Sequence, residues 1–263
     1  MADALTPEIT TDRATVYRST WRELAATLPD NMPGASLAIV DGPYNMKKAD
    51  WDTFRDWEHF VAWYRPELEE LSRVLAESAN VYLWGTDTSA SELRPVMAAL
   101  GWRRRTRVIW DKGQGPLSHL SGSDSWSDGT EVADHYQRGS PVFVSMPPHR
   151  RLWRLHFNEV DHEKYRTGIQ QSHPSGSNWE KPLHPCQKPL AFYDRLIRSS
   201  SRPGDTVLEP YGGTLRAAVA CHRLPPSEAR HAIVCEPHGP YIEAVRPSLE
   251  WVPPTVDGLG LFG

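Results

Sequence analysis

The sequence predicts an α/β protein built on a largely parallel sheet with helices on both faces. Two observations carry this. Short apolar runs of strand length recur along the chain, at Ser36–Val40, Val81–Trp84, Arg107–Trp110, Pro141–Ser145, Asp205–Leu208 and His231–Cys235. Segments with apolar residues at helical spacing separate many of them. A chain that alternates strand and helix can return each strand parallel to the last, burying the sheet on both sides.

Taken in order, residues 12–29 are predicted as a helix, with Leu24, Ala25 and Leu28 on one side. Ser36–Val40 reads as a buried strand that runs straight into Asp41-Gly42-Pro43-Tyr44, where Pro43 restricts Gly42 and stops it. Residues 54–79 carry Leu68, Leu71 and Leu75 at helical spacing, with Pro66 expected to divide the segment. Val81–Trp84 is the next strand, and 89–100 a helix ended by Gly101. Between the strands Arg107–Trp110 and Pro141–Ser145, the Gly-, Ser- and Asp-rich stretch 113–130 reads as a long loop. Residues 146–182 show no period and read as an irregular surface insertion. Helix 189–199, strand 205–208, helix 214–222, strand 231–235 and helix 241–249 follow. The Pro- and Gly-rich end, 251–263, is a C-terminal tail expected to pack on its own domain.

Bulk properties narrow the function classes. A chain of 263 residues suits one sizeable domain, 1–263, better than two. The three cysteines, Cys186, Cys221 and Cys235, are far apart and form no CxxC pair, so neither a disulfide framework nor a metal site is indicated. No stretch approaches the roughly 20 apolar residues that cross a bilayer, and the polar start has no secretory core, so a cytoplasmic protein is expected. A net charge of −4 argues against a protein that coats nucleic acid but leaves room for a local basic face. Two clusters could form one: Arg103, Arg104, Arg105 and Arg107, then His149, Arg150, Arg151, Arg154 and His156. A dinucleotide oxidoreductase would open its first strand–helix unit with GxGxxG, and this sequence has none.

The chemistry sits in two strand ends. In Val207-Leu208-Glu209-Pro210-Tyr211-Gly212-Gly213-Thr214, glycines at a strand-to-helix crossing let a ligand approach the backbone, and the helix N-terminus offers amides to an anionic group. The strand after it ends in Glu236, placed to hold ribose hydroxyls. In Asp41-Gly42-Pro43-Tyr44 a carboxylate, a proline-restrained carbonyl and an aromatic ring lie within four residues. An exocyclic base amine is a poor nucleophile because its lone pair is delocalised into the ring. Two hydrogen-bond acceptors, the Asp41 carboxylate and the Gly42 carbonyl, would draw its hydrogens out of plane and expose the lone pair. Tyr44 would stack on a base swung out of the duplex. Taken singly, each of these is a common turn.

Their order changes the odds. Asp41-Gly42-Pro43-Tyr44, then His184-Pro185-Cys186-Gln187-Lys188-Pro189, then Glu209-Pro210-Tyr211-Gly212-Gly213-Thr214 resembles the beta class of DNA amino-methyltransferases over roughly residues 36–250. The run from His184 to Ala220 is the most specific part. The resemblance implies a Rossmann-like methyltransferase fold with a seven-stranded, mostly parallel sheet and a circularly permuted motif order. It implies S-adenosyl-L-methionine as cofactor and double-stranded DNA as partner. Asp41, Pro43 and Tyr44 would be catalytic. Asp41, Gln187, Lys188, Pro189, Glu209, Pro210, Tyr211, Gly212, Gly213, Thr214 and Glu236 would bind cofactor. Residues 146–182, joined by 113–130, would be the target-recognition insertion, with Arg150, Arg151, Arg154 and Trp153 on DNA. Adenine N6 is the expected target, since serine is commoner than aspartate at the first motif position of the cytosine enzymes. Cytosine N4, RNA, and a non-catalytic nucleic-acid-binding subunit of the same fold are the alternatives. A homodimer and an accompanying restriction or defence protein stay open. The chain departs from the family at three places: Gly42 for the first proline, Glu209 for aspartate, and Leu215-Arg216 where Gly-Thr is usual.

Overall fold

Ala35–Val40 is almost wholly apolar because both of its faces are covered. Leu37 and Ile39 join one core, Ala38 and Val40 the other. The computed structural model describes residues 5–111, 130–144, 154–156 and 186–250. Its strands are β1 (Ile9–Thr10), β2 (Ala14–Tyr17), β3 (Ala35–Val40), β4 (Ala79–Gly85), β5 (Arg103–Asp111), β6 (Thr130–Arg138), β7 (Arg154–His156), β8 (Thr206–Glu209) and β9 (His231–Cys235). They form one sheet in the order β1-β2-β9-β8-β3-β4-β6-β5-β7. From β2 to β4 all neighbours are parallel, and β6 runs antiparallel between β4 and β5. The expected seven-stranded, mostly parallel sheet is thus present in the longer strands, with the two-residue β1 and three-residue β7 added at the edges.

Helices α1 (Trp21–Ala25), α2 (Trp57–Val74) and α3 (Asp87–Ala99) pack on one face. Helices α4 (Leu190–Ser200), α5 (Arg216–Arg223) and α6 (Gly239–Glu250) cover the other. Among the described residues no helix is long and apolar enough to cross a membrane.

Several elements differ from expectation, each for a local reason. Residues 12–29 are not one helix. Thr11 Oγ1 accepts from Arg13 N and Ala14 N, turning the chain so that Ala14 and Val16 enter the sheet beside β9. Only Trp21–Ala25 is helical, started by a capping box between Thr20 and Glu23. Pro66 does not divide α2. A mid-helix proline costs about 3 kcal/mol. Burial of Phe60, Tyr64, Leu68, Leu71 and Val74, at about 1.5–3 kcal/mol for each large apolar side chain, outweighs it. Residues 141–144 lie outside the ladder, fastened instead by Val144 N to Ser199 O and Asn80 Nδ2 to Val142 O. Within 146–182, residues 154–156 are a strand and not irregular.

The largest miss is β6. Glu131, Asp134 and His135 hid it, since three ionisable residues do not read as an interior strand. Each has a partner. His135 Nε2 meets Asn80 Oδ1 at 2.9 Å, and burial pushes its imidazole down to about 4. The buried Asp134 receives Arg94 at 2.8 Å, Arg107 at 2.9 Å and Arg104 at 3.0 Å. The predicted basic face at 103–107 is therefore partly an internal ion network. Burial alone would raise the Asp134 carboxyl, but the guanidinium groups outweigh it and hold it below the usual aspartate value. Its stabilisation is then complete above the unfolded pKa of about 3.9 and is lost as pH falls through the lower folded value. The arginines keep partial contact with water, which limits the effect. Asp134→Asn is expected to cost about 1–3 kcal/mol at pH 7, with the gap closing toward pH 3. Urea titrations of both proteins at the two pH values test this, and a pH-independent gap would rule the ion network out as its source.

Candidate active site

Parallel pairing of β3 with β8 sets Ala38 opposite Leu208, so the segments that leave the two strand ends, from Asp41 and from Pro210, emerge side by side. Both border one cavity of about 690 Å³, joined there by Lys188, Glu131 and Glu236. That volume is in the range of small-molecule and cofactor sites. The two motifs, remote in sequence, share one pocket.

The head of the pocket is an ion cluster. Asp41 Oδ1 accepts from Tyr44 Oη at 2.5 Å and from Lys188 Nζ at 2.8 Å. The same ammonium meets Glu131 Oε2 at 2.9 Å. It lies 5.2 Å from the Tyr44 ring centre, 5.4 Å from Trp84 and 5.9 Å from Trp110, close enough for cation–π attraction. Burial by itself would lower the Lys188 pKa, but the carboxylates of Asp41 and Glu131 outweigh it and the net shift is upward. Lys188 is thus a buried, charged lysine that bridges the two carboxylates. Tyr44 is buried, with its hydroxyl pushed up first by burial and then by Asp41.

The Gly42 departure does not loosen the turn. A Cβ at Gly42 would lie 2.3 Å from Tyr64 Oη and 2.9 Å from the Tyr211 ring. Those two side chains fill the space a proline ring would need. Tyr64 Oη also donates to the Pro43 carbonyl at 3.0 Å, fixing the turn from behind. Beyond it, the buried Asp52 accepts from the amides of Tyr44 (2.6 Å), Asn45 (2.8 Å), Met46 (3.0 Å) and Lys48 (3.3 Å).

The other end is built on the glycine turn. Gly212 N donates to Cys235 O at 2.8 Å, and a Cβ on Gly212 would sit 2.7 Å from Val234 Cγ1, so only glycine fits. Glu236 accepts from Gly213 N at 2.7 Å and from His238 N at 2.8 Å. Each carboxylate oxygen retains acceptor capacity for a hydroxyl. Burial raises its pKa. Leu215 takes the left-handed conformation, φ 51°, at a position where the family has glycine. This costs about 1–2 kcal/mol, and the fully buried Leu215 side chain offsets it. Arg216 does not point away. It is buried, donates from Nε to Thr214 Oγ1 at 3.0 Å, and is pushed down to about 10 by burial.

Of the residues expected at the cofactor, Asp41, Gln187, Lys188, Pro210, Tyr211, Gly212, Gly213, Thr214 and Glu236 border the cavity. Glu209 stands behind the wall. It accepts from Ala217 N at 3.0 Å, and burial raises it to about 8. Pro189 caps the start of α4. Arg150, Arg151 and Trp153 lie outside the described residues, as do His184, Pro185 and the tail 251–263, and Arg154 opens β7. Sequence reasoning missed Asp52, Tyr64 and Glu131. Their roles come from contacts across elements, and no local pattern marks them.

Fold and pocket together define a Rossmann-like α/β domain with a cofactor-sized cavity between two strand-end motifs that occur in permuted order. The model of a DNA methylase family of the N6/N4 type matches residues 35–246, and the chain belongs to that family. It is a DNA amino-methyltransferase. It is similar to Type II methyltransferase M1.MboII of Moraxella bovis, 23% identical over 233 residues that cover 78% of this chain and 85% of that one. Among solved structures, it resembles the PvuII DNA methyltransferase, named as cytosine-N4-specific, with a TM-score of 0.70, 15% identity and coverage of 96% and 91%. It also resembles M1.HpyAVI in a complex with SAM, with a TM-score of 0.63, 17% identity and coverage of 90% and 100%.

Proposed function

We propose that the protein methylates the N6 amine of adenine in double-stranded DNA, on a base everted into the cavity that Asp41 and Gly212 share. The observation that carries this is the placing of Asp41 and Gly42 in one pocket with the glycine turn and Glu236. S-adenosyl-L-methionine supplies an electrophilic methyl group on a sulfonium. The Glu236 carboxylate holds ribose hydroxyls, and the Gly212–Thr214 turn gives backbone access to the ligand. Asp41 and the Gly42 carbonyl accept the two amine hydrogens, so the nitrogen lone pair faces the methyl carbon. That nitrogen would take the methyl group from S-adenosyl-L-methionine, and Asp41 and water would take the proton the amine then sheds. Lys188 holds the Asp41 carboxylate in place through its 2.8 Å bond. Tyr44 stacks on the base.

The chain acts in this reading as a single methyltransferase domain, with 146–182 facing DNA through Arg150, Arg151, Arg154 and Trp153, and 251–263 as a tail. Aspartate at the first motif position favours adenine. Cytosine N4 is the second reading, favoured by the likeness to a structure named for that specificity. Nucleoside mass spectrometry of DNA from cells expressing the protein separates the two products. Neither N6-methyladenine nor N4-methylcytosine above the empty-vector level would sink the proposal. Glu236→Ala is expected to weaken S-adenosyl-L-methionine binding by roughly ten- to a hundredfold in calorimetry, the value of one or two lost hydrogen bonds to a charged group. Unchanged affinity would move the ribose elsewhere.

A further inference from the structure

Among the described residues four large apolar side chains are exposed, Met46, Trp51, Phe143 and Val144. Two of these, Met46 at 37% and Trp51 at 50%, stand in one loop at the edge of the cavity, beside Lys48. The loop has a built shape. Besides the four amides that Asp52 gathers, Lys47 N donates to Asp52 O at 3.1 Å and Phe54 N to Asn45 Oδ1 at 3.0 Å. Asn45 and Lys47 are left-handed, φ 62° and 57°, a conformation non-glycine residues keep only where their surroundings enforce it. The bonds that fix the loop therefore keep an indole and a thioether partly exposed at the edge of the cavity, where burial would favour covering them. Lys47 and Lys48 are exposed with them. Asp50 is the opposing exposed charge, while the Asp52 carboxylate is taken up by its four amides.

We infer that this loop is a rim for duplex DNA, with Trp51 and Met46 resting on the bases that flank the everted one and Lys47 and Lys48 on phosphates. The inference rests on the reading of the cavity given above. A base enters the cavity only if its duplex lies across the mouth, so whatever stands exposed there meets the neighbouring base pairs. Eversion leaves unstacked base faces, which a flat apolar side chain can cover. Ammonium groups beside it suit the phosphate chain and add a salt-dependent attraction.

The test compares wild type, Trp51→Ala and the double variant Lys47→Ala/Lys48→Ala. Calorimetry with S-adenosyl-L-methionine first establishes that each variant keeps the wild-type cofactor affinity and is folded. Transfer of tritiated methyl groups is then measured on a native plasmid and on the same plasmid heat-denatured. Trp51→Ala is expected to lose about tenfold on native DNA and under twofold on denatured DNA, since a single strand has no stack to hold open. Full activity on native DNA, or an equal loss on both forms, overturns the rim. The double lysine variant is expected to flatten the log–log salt dependence of duplex binding by about 2, and an unchanged slope overturns the phosphate contacts. If wild type labels neither DNA, the reading of the cavity has failed. Fluorescence anisotropy on a labelled duplex of about 30 base pairs then judges the rim separately, and wild-type affinity in Trp51→Ala overturns it.

Discussion

Asp41→Ala is expected to lower kcat for methyl transfer by roughly 10²–10³-fold, the range seen when one preorganised polar group is removed from a reacting centre, while cofactor affinity changes little. The separation follows from where Asp41 sits. In the proposed reading its remaining acceptor capacity serves the amine, and its loss leaves Glu131 to hold Lys188 at 2.9 Å, so the pocket keeps its cation. The glycine turn and Glu236 are untouched. Calorimetry with S-adenosyl-L-methionine and single-turnover methylation of DNA make the comparison. Equal methylation by wild type and variant would reject the role assigned to Asp41. A parallel loss of cofactor binding would move that role from the amine to the cofactor.

Lys188→Met is expected to cost about a hundredfold in kcat at neutral pH and to make the rate climb with pH. Removing the ammonium leaves two carboxylates facing one largely buried space, Asp41 at 2.8 Å and Glu131 at 2.9 Å from the lost nitrogen. Two like charges so placed cannot both ionise easily, and one takes up a proton. Protonated Asp41 is a poor acceptor for the amine, so activity returns only as pH rises through the raised value. The double variant Lys188→Met/Glu131→Gln removes the competing charge and should recover about tenfold of the loss, with a flatter pH profile, as coupled neighbours do in double-mutant cycles. A Lys188→Met enzyme with wild-type kcat and a raised KM for S-adenosyl-L-methionine would instead make Lys188 a cofactor contact alone.

The fold and the two motif loops were legible because their cues are local. Strand β9 falls where its apolar run ends, and α3 and α4 end within two residues of expectation. The Gly212 turn could be read because glycine there answers a steric demand of its own backbone. β6 and β2 were not legible. The first carries its charges inward, to arginines on β5 and α3, and the second was masked by a short helix with a stronger period than its own. Asp52 illustrates the limit in the site. It lies in an unremarkable Trp51-Asp52 step, yet it orders the turn after Asp41-Gly42-Pro43-Tyr44 through backbone amides.

By itself the sequence determined the class: an α/β chain with an acidic, proline-stopped strand end and a glycine turn in permuted order, because strand length, turn chemistry and spacing are properties of neighbours along the chain. Only the tertiary structure decided how the charges are used. It placed Glu131 and Asp41 on one lysine, packed Tyr64 and Tyr211 where a proline would stand, and accepted Leu215 in a glycine's conformation. Those outcomes depend on desolvation and packing between elements far apart in sequence, and such energies exist only once the sheet has brought the elements together.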